Sequence, residues 1–270
     1  MDGKELFKAG KLSEAVAAAS EEVKRHPTDV SRRGFLCELL CFAGELSRAD
    51  AQLDAIGHQD PQLMLGLSMF RQLIRAEQAR QQFYAEGRVP EFIAPPGPHL
   101  SRCLEASICV REGRQGEAVA LLDEAERLRP IVSGVCNDQA FEGMRDVDDL
   151  TAPFLEVLTS NGKYYWIPIE HVELIEFRVP ERPRDLLWRR VHMVVRGGPD
   201  GEVFLPTLYA GSATDPDEQI RVGHKTDWRG GDGTPVRGAG QRMFLVGDDG
   251  RSILELQQLS TVAPASEETE

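Results

Sequence analysis

A short motif recurs at a fixed spacing in the first half of the chain. Residues 9–15 match residues 43–49, and a proline follows each copy at the same distance, Pro27 or Pro61. Every matched position is displaced by 34 residues, which is the period of the tetratricopeptide helix-turn-helix repeat. A third copy, residues 112–118, lies 69 residues after the second, close to two further periods. The first half is therefore predicted to be a stack of helix pairs.

The residue types of the motif suit this arrangement. Each copy has a glycine where the chain would leave the first helix, and a left-handed conformation there favours glycine. Each copy ends in an alanine, which lets two helices approach closely, and the following proline stops the second helix. The glycines are Gly10, Gly44 and Gly113, the alanines Ala15, Ala49 and Ala118, and the prolines Pro27, Pro61 and Pro130.

Between the second and third copies, apolar residues at helical spacing predict one long helix from about Pro61 to Tyr84. Three arginines give this helix a partly basic side, which is more often a solvated face than a binding site: Arg71, Arg75 and Arg80. Residues 86–98 contain four prolines and cannot be helical throughout. We interpret them as an ordered loop that leads into another helix near His99.

The second half has the pattern of short strands joined by turns. Three hairpins are predicted, by residues 154–169, 191–206 and 242–257. The first is centred on Asn161 and Gly162, which suit a two-residue turn with positive φ at both positions. The glycine-rich segment 228–240 has neither the Gly-x-Gly-x-x-Gly order nor a Gly-Lys-Ser/Thr ending, so it is interpreted as a loop without a phosphate site.

These patterns predict a protein of two domains, in keeping with 270 residues. The first, residues 1–136, is a tetratricopeptide-like helical repeat domain. The second, residues 137–262, is an α+β domain built mostly of antiparallel hairpins. Residues 263–270 are acidic and poor in apolar side chains, and they are expected to be a disordered tail.

Charge and composition restrict the function. Lys and Arg number 31 against 44 Asp and Glu, a net charge of −13, and an acidic surface repels nucleic-acid phosphates. No segment has the apolar length of a signal peptide or a membrane span, so we expect a cytoplasmic protein. Five cysteines without a CxxC pair argue against disulfides and a structural zinc site.

Few residues suggest catalysis. Asp146, Asp148 and Asp149 form an acidic cluster without calcium-loop spacing, and whether it binds a metal is left open. Glu170 and His171 are neighbours that could act as acid and base, which alone is a weak signal. We therefore expect no cofactor and favour a protein that is not an enzyme. The alternative is a hydrolase or metal-dependent enzyme in the second domain.

Residues 137–189 join the two patterns and hold two of the three tryptophans and half of the tyrosines. We interpret this joint as domain core and inter-domain seam rather than as a recognition surface. Trp166 and Trp188 are the expected packing anchors, and Tyr165 is expected to face the helical repeats or a partner. The candidate residues for partner binding or for the seam are Arg71, Arg75, Tyr165, Arg182, Arg184 and Asp185.

A stack of helix pairs presents a concave groove that commonly holds an extended or helical segment of another protein. Two uses of the repeats are therefore possible in this chain. They could bind such a segment, or they could only scaffold the second domain. We favour binding in the groove.

Several long segments resemble the signature segments of the ImpE family, also called TagJ or SciE-type proteins. They are residues 36–44, 138–146, 162–170, 182–189 and 201–209. The resemblance implies helices followed by an α+β domain, and an accessory role in the bacterial type VI secretion system. It also implies a link to the small sheath subunit TssB, through its N-terminal helix, and to the ClpV ATPase. It offers no catalytic residues.

The resulting hypothesis is a non-enzymatic adaptor that binds a helix of the sheath subunit and influences sheath assembly or disassembly. A purely structural subunit of a larger complex is a third possibility, beside the enzyme.

Overall fold

The computed structural model describes residues 1–262, and the predicted disordered tail lies outside the described residues. The first half is helical and the second half is rich in antiparallel strands, which is the predicted fold class. The helices are α1 (Gly3–Lys8), α2 (Leu12–Arg25), α3 (Val30–Phe42), α4 (Leu46–Gln59), α5 (Met64–Glu86), α6 (Pro98–Arg111), α7 (Gln115–Leu128) and α8 (Glu218–Arg221).

The strands of the second half form three sheets. Eight lie in one antiparallel sheet in the order β2-β1-β13-β6-β7-β8-β4-β5, three in the order β12-β11-β3, and two pair as β9 and β10. The strands are β1 (Ser133–Cys136), β2 (Gln139–Glu142), β3 (Met144–Asp146), β4 (Phe154–Leu158), β5 (Tyr164–Pro168), β6 (Val172–Phe177), β7 (Trp188–Val195), β8 (Asp200–Pro206), β9 (Thr226–Gly231), β10 (Thr234–Gly240), β11 (Met243–Val246), β12 (Asp249–Ser252) and β13 (Gln258–Thr261).

The three copies of the motif fold as three helix pairs, α1–α2, α3–α4 and α6–α7. The predicted left-handed glycines are confirmed, with φ of +76° at Gly10, +73° at Gly44 and +76° at Gly113. The alanines that end the motif are completely buried, because they lie where the two helices of each pair meet. The motif therefore encodes both the turn and the closest contact of each pair.

The proline-rich segment is an ordered loop, as predicted, and it packs along β5. Helix α5 ends at Glu86, and the next residue, Gly87, caps it with φ +81°. Farther along the loop, the N–H of Glu91 donates to the carbonyl of Tyr164 (2.9 Å), and the N–H of Trp166 donates to the carbonyl of Glu91 (3.1 Å). The loop thus satisfies backbone groups on an edge of the eight-stranded sheet that would otherwise be open to another chain.

All three predicted hairpins are present, with β4–β5, β7–β8 and β11–β12 paired antiparallel. The predicted turn geometry of the first hairpin is wrong, because only Gly162 has positive φ (+83°) and Asn161 does not. The N–H of Gly162 donates to the carbonyl of Thr159 (3.0 Å). This is the three-residue loop in which a turn is followed by one left-handed residue, and an Asn-Gly pair suits it as well as the two-residue turn.

The glycine-rich segment 228–240 is not a loop but most of a fourth hairpin. Strands β9 and β10 pair antiparallel, and the turn between them is Asp232-Gly233, with φ of +49° and +91°. An Asp-Gly pair is a strong signal for such a turn. The sequence interpretation missed it because the many glycines hid the alternation of side chains that marks a strand.

The eight-stranded sheet separates two hydrophobic clusters. Along β4 and β5, side chains alternate between them: Phe154, Leu158, Tyr164 and Trp166 join the helices, whereas Leu155, Val157 and Ile167 join a cluster made by strands and their loops. Alternation of this kind follows from the period of two in a strand. One cluster is consequently shared by the helical and the strand-rich halves.

In the described part of the chain, residues 1–262, no helix is long and apolar enough to cross a membrane.

Replacing Ala49 with leucine tests the role of the motif alanine. Ala49 has no exposed surface, so a larger side chain must push α3 and α4 apart. We expect the free energy of unfolding, measured by urea denaturation, to fall by about 1–3 kcal/mol. Ala51 lies on the same helix and is exposed, so Ala51→Leu should change it little. Equal effects of the two substitutions would contradict close packing at the motif.

Candidate functional site

A buried carboxylate, Glu156 of β4, joins the helical half to the strand-rich half. Arg80 of α5 donates to it through Nε (2.9 Å) and Nη2 (3.0 Å), and the hydroxyls of Tyr84 (3.0 Å) and Tyr164 (2.5 Å) also donate to it. Arg242, which follows β10, forms a further ion pair with it. Glu156 is 1% exposed. We call this set of residues the Glu156 network.

The carboxylate of Glu156 and the two arginines that contact it stabilise one another in their charged forms. Burial opposes ionisation of Glu156, but the guanidinium groups of Arg80 and Arg242 hold its pKa well below the ordinary value. A second buried carboxylate, Glu77 of α5, accepts hydrogen bonds from Arg80 (3.2 Å) and from the indole N–H of Trp188 (3.1 Å). Burial raises the pKa of Glu77. Arg80, predicted to lie on a solvated face, is instead buried, because these two acids surround it.

Both predicted tryptophan anchors are confirmed. Trp166 is fully buried, stacks on Phe154 at a centroid distance of 3.8 Å and meets Phe83 of α5 edge-on at 4.9 Å. Trp188 is 1% exposed and meets Phe70 of α5 edge-on at 6.1 Å. The joint is therefore an aromatic seam along α5.

Each carboxylate of the acidic cluster is bound by protein groups. Arg242 lies 3.1 Å from Asp146, and Arg237 pairs with Asp148 at 2.8 Å. Asp149 pairs with Arg145 (3.1 Å) and accepts from a backbone N–H of β10. Asp146 has no exposed surface, and burial raises its pKa to about 6. The carboxylates of Asp146 and Asp148 are therefore inaccessible to a substrate.

The Glu170–His171 pair does not form either. Glu170 is buried and lies 2.9 Å from the Nε2 atom of His99 in α6, while His171 is exposed. Within residues 1–262, no group of three or more His, Cys, Asp or Glu side chains is arranged to hold a metal ion. Glu170 and His171 are therefore not placed to act together as an acid and a base.

Two of the candidate residues, Arg184 and Asp185, lie in a short 3-10 helix, Pro183–Leu186, and a third, Arg182, directly precedes it. This 3-10 helix packs on α3. Arg184 lies over the ring of Phe70, 4.8 Å from its centroid. Asp185 accepts from the backbone N–H groups of Glu181 (2.9 Å) and Arg182 (3.0 Å), and Arg182 itself is exposed. Arg184 thus contacts α5 across the seam, whereas Asp185 caps the 3-10 helix within its own segment.

An acidic side chain of α3 faces this segment. Glu38 is 9% exposed, and burial raises its pKa to about 7, although the charges of Arg184 and Arg182 act in the opposite direction. Asp185 and Lys4 are the other charged groups near it. Glu38 therefore changes its charge near neutral pH at the contact between the two halves.

Tyr165 lies on the sheet face that points away from the helices. It packs against the strand cluster, whereas its neighbours Tyr164 and Trp166 belong to the cluster shared with the helices. Two alternatives were expected for Tyr165. Contact with the helical repeats is not observed, because side chains alternate along the strand and those of Tyr164 and Trp166 point toward the helices. Contact with a partner stays a prediction.

Parts of helices α3 and α5 are covered by the chain itself. Residues 36–42 of α3 are all buried, and the 3-10 helix packs on them. The strand-rich half also reaches the turns of the first two repeats, where Glu218 accepts from the N–H of Ser13 (2.9 Å) and Ala213 approaches Gly44. The first two repeats are therefore in direct contact with the second half of the chain.

One groove on the helices stays open, and it contains two of the candidate residues. It lies between α4 and α5, has a volume of about 310 Å³, and is lined by Leu53, Asp54, Gly57, His58, Met64, Leu67, Ser68, Arg71, Gln72 and Arg75. Leu53, Met64 and Leu67 provide apolar surface, with polar side chains around them. Met64 is half exposed, and the adjacent Leu65 is 87% exposed. We call this the α4–α5 groove.

Comparison with known proteins gives one family. Residues 138–260 match the family described as ImpE protein. The chain is 30% identical over 259 residues to the type VI secretion system accessory component TagJ of Pseudomonas aeruginosa. The aligned region covers 96% of this chain and 90% of the relative. The chain belongs to the ImpE family.

The fold of this ImpE protein is also found in a solved structure. The crystal structure of protein VPA1032 from Vibrio parahaemolyticus superposes with a TM-score of 0.90 at 27% identity, over 97% of this chain and 98% of the other. The matched region of the ImpE family, residues 138–260, includes the joint and Glu156, whereas the α4–α5 groove lies outside it.

The Glu156 network was missed by the sequence interpretation. A signal was present, because Glu156 is the single charged residue in the otherwise apolar strand β4, and a charge at a buried strand position needs partners. The identity of those partners was not readable, since Arg80 and Arg242 lie 76 and 86 residues away in the sequence.

Replacing Glu156 with glutamine tests the network. The change keeps the shape but leaves Arg80 and Arg242 buried with less opposing charge, and breaking a buried pair of this kind costs about 3–5 kcal/mol. We expect a loss of that size in urea denaturation. Glu173→Gln, at an exposed position of β6, is the matched control. A loss below about 1 kcal/mol, the size of an exposed ion pair, would show that the network does not stabilise the fold.

A second prediction concerns pH. The pKa of Glu38 is about 7 in the folded state against an ordinary 4.5, so the folded state binds this proton more tightly. The stabilisation is complete below pH 4.5 and is lost as the pH rises to 7. Glu38→Gln should therefore stabilise the protein more at pH 8 than at pH 4. Denaturation at both values, with exposed Glu86→Gln as control, measures this, and a pH-independent effect would contradict it.

Proposed function

We propose that this protein is a non-enzymatic accessory component of a bacterial type VI secretion system, acting in the cytoplasm by binding another protein. The support is its membership of the ImpE family and its 30% identity, over nearly the whole chain, to a curated accessory component of that system. The acids considered for catalysis are bound to protein side chains or backbone, which agrees with a binding role.

The proposed partner is a helix of the small sheath subunit, held in the α4–α5 groove. The observation that carries this choice is that the groove is an open channel between two helices, with apolar side chains in its floor and polar side chains around them. Such a channel suits an amphipathic helix, which inserts apolar side chains at positions i, i+3, i+4 and i+7. Met64 and Leu67 would contact these anchors. Much of the apolar surface of α3 and α5 faces the strand-rich half instead.

Through this contact the protein would influence assembly of the sheath, or its disassembly by the ClpV ATPase. A bound sheath helix is unavailable to any other protein that recognises the same surface. The sign of the effect depends on whether ClpV needs that helix free, and a sheath-disassembly assay with and without the protein measures it.

Titration of the purified protein with a fluorescently labelled peptide tests the binding. The peptide is the N-terminal helix of the small sheath subunit from the same organism, and fluorescence anisotropy reports saturation. We expect saturable binding with micromolar affinity. An absence of binding at high micromolar concentration would refute the proposed partner.

Replacing Met64 with aspartate tests the site. A carboxylate in the apolar channel would have to lose water against the apolar anchors of the helix, and loss of a contact at the centre of an interface commonly costs more than about 1 kcal/mol. We expect the affinity for the peptide to fall about tenfold. Val179→Asp, at an 80% exposed position outside the groove, is the matched control. Equal affinities of the two variants would place the partner elsewhere.

A further inference from the structure

One residue that lines the α4–α5 groove, Gly57, contributes no side chain to it. Gly57 lies inside α4, which continues to Gln59 and is capped by Asp60, and its backbone is not left-handed. A glycine within a helix destabilises it relative to alanine, because glycine loses more conformational freedom on folding. The helix itself therefore gains nothing from a glycine at this position.

The space beside Gly57 opens toward α5. A Cβ on Gly57 would lie 3.1 Å from Sδ of Met64 and 3.7 Å from Cδ1 of Leu67. Both of these side chains line the groove, and the shorter distance is below the optimal separation of about 3.5–4.0 Å between non-bonded atoms. A side chain at position 57 would therefore project into the groove and take up space that is now open.

The two side chains that face Gly57 are of different kinds. Leu67 is half-buried and packs against the hydrophobic cluster of the helices, so its position is fixed by the core. Met64 is 51% exposed, and a methionine side chain is unbranched and adapts its shape to its neighbours. Met64 can consequently move aside when a group enters from solution. We call the space over Gly57, between Met64 and Leu67, the Gly57 notch.

We propose that Gly57 determines the specificity of the groove, because the Gly57 notch receives one large apolar side chain of the bound helix. A small residue at that point of the helix would leave the notch unfilled and lose its contacts. A charged residue there would have to lose water against Met64 and Leu67. The inference rests on the proposed function, which supplies the helix, and adds to it the residue of the groove that selects the helix and the class of side chain that is selected.

A glycine that served only the packing of α4 against α5 would behave differently. In that case any side chain at position 57 would lower the stability of the protein. The closest atom to the missing Cβ belongs to the exposed side chain of Met64, which can give way, and alanine is favoured over glycine in a helix. Gly57→Ala should therefore keep or raise the midpoint of thermal unfolding while it narrows the notch.

Substitutions at position 57 and in the peptide test the proposal together. The protein is prepared as wild type, Gly57→Ala, Gly57→Leu and the control Gly116→Leu, which makes the same change at an exposed position of α7. The probes are the sheath-subunit peptide described above and variants of it in which each large apolar residue is replaced in turn by alanine. Thermal denaturation gives the unfolding midpoint of each protein, and anisotropy gives the affinity of each pair.

We expect Gly57→Ala to weaken binding of the native peptide about threefold and Gly57→Leu about tenfold, the size of a lost contact at the centre of an interface. Gly116→Leu should match wild type. One alanine variant of the peptide should bind wild type about tenfold more weakly than the native peptide does, yet bind Gly57→Leu as well as the native peptide does. This non-additivity is expected for two groups that occupy the same space, and it identifies the side chain that fills the notch.

Two results overturn this inference alone. One is equal affinity of Gly57→Leu and Gly116→Leu for the native peptide, and the other is a loss by Gly57→Leu that is the same factor for every peptide. If Gly57→Leu does not fold, Gly57→Ala compared with Gly116→Ala gives the same two readouts. If wild type does not bind the native peptide, the proposed function fails and this inference with it.

Discussion

The fold depends on a carboxylate that is buried between its two halves. Glu156 comes from the sheet, Arg80 and Tyr84 come from the long helix α5, and Arg242 comes from the end of the β9–β10 hairpin. Charges removed from water are tolerated only when their partners are in place. The helices and the sheet must therefore adopt one relative position, and the aromatic contacts of Trp166 and Trp188 with α5 fill the space around the network.

This arrangement decides which surfaces are left for function. Because α3 and α5 turn much of their apolar surface to the strand-rich half, most of the inner helical face that repeats of this kind commonly offer to a partner is occupied. The α4–α5 groove is outside that contact and stays open. The repeats thus pack against the strand-rich half and still leave a channel open beside the seam.

Charged side chains also differ between the buried interior of the strand-rich half and the open groove. Buried acids of the strand-rich half, such as Asp146 and Asp148, pair with Arg242 and Arg237, so an acidic cluster that could suggest a metal or catalytic site is structural. At the groove, in contrast, Arg75 is exposed and forms no ion pair within residues 1–262. The difference is one of burial, since a buried charge must be compensated within the protein whereas an exposed one is solvated and can be compensated by a partner.

The sequence by itself determined the local structure: the helix pairs from the 34-residue period, their left-handed glycines, three of the hairpins, the burial of both tryptophans and, through its long motifs, the family. Only the tertiary structure decided the rest. It buried Arg80, which a helical pattern assigned to solvent, turned Tyr165 away from the helices, and placed Arg75 beside the α4–α5 groove. These outcomes depend on contacts between residues tens of positions apart, whereas periodicity and turn chemistry report only the conformation of neighbours along the chain.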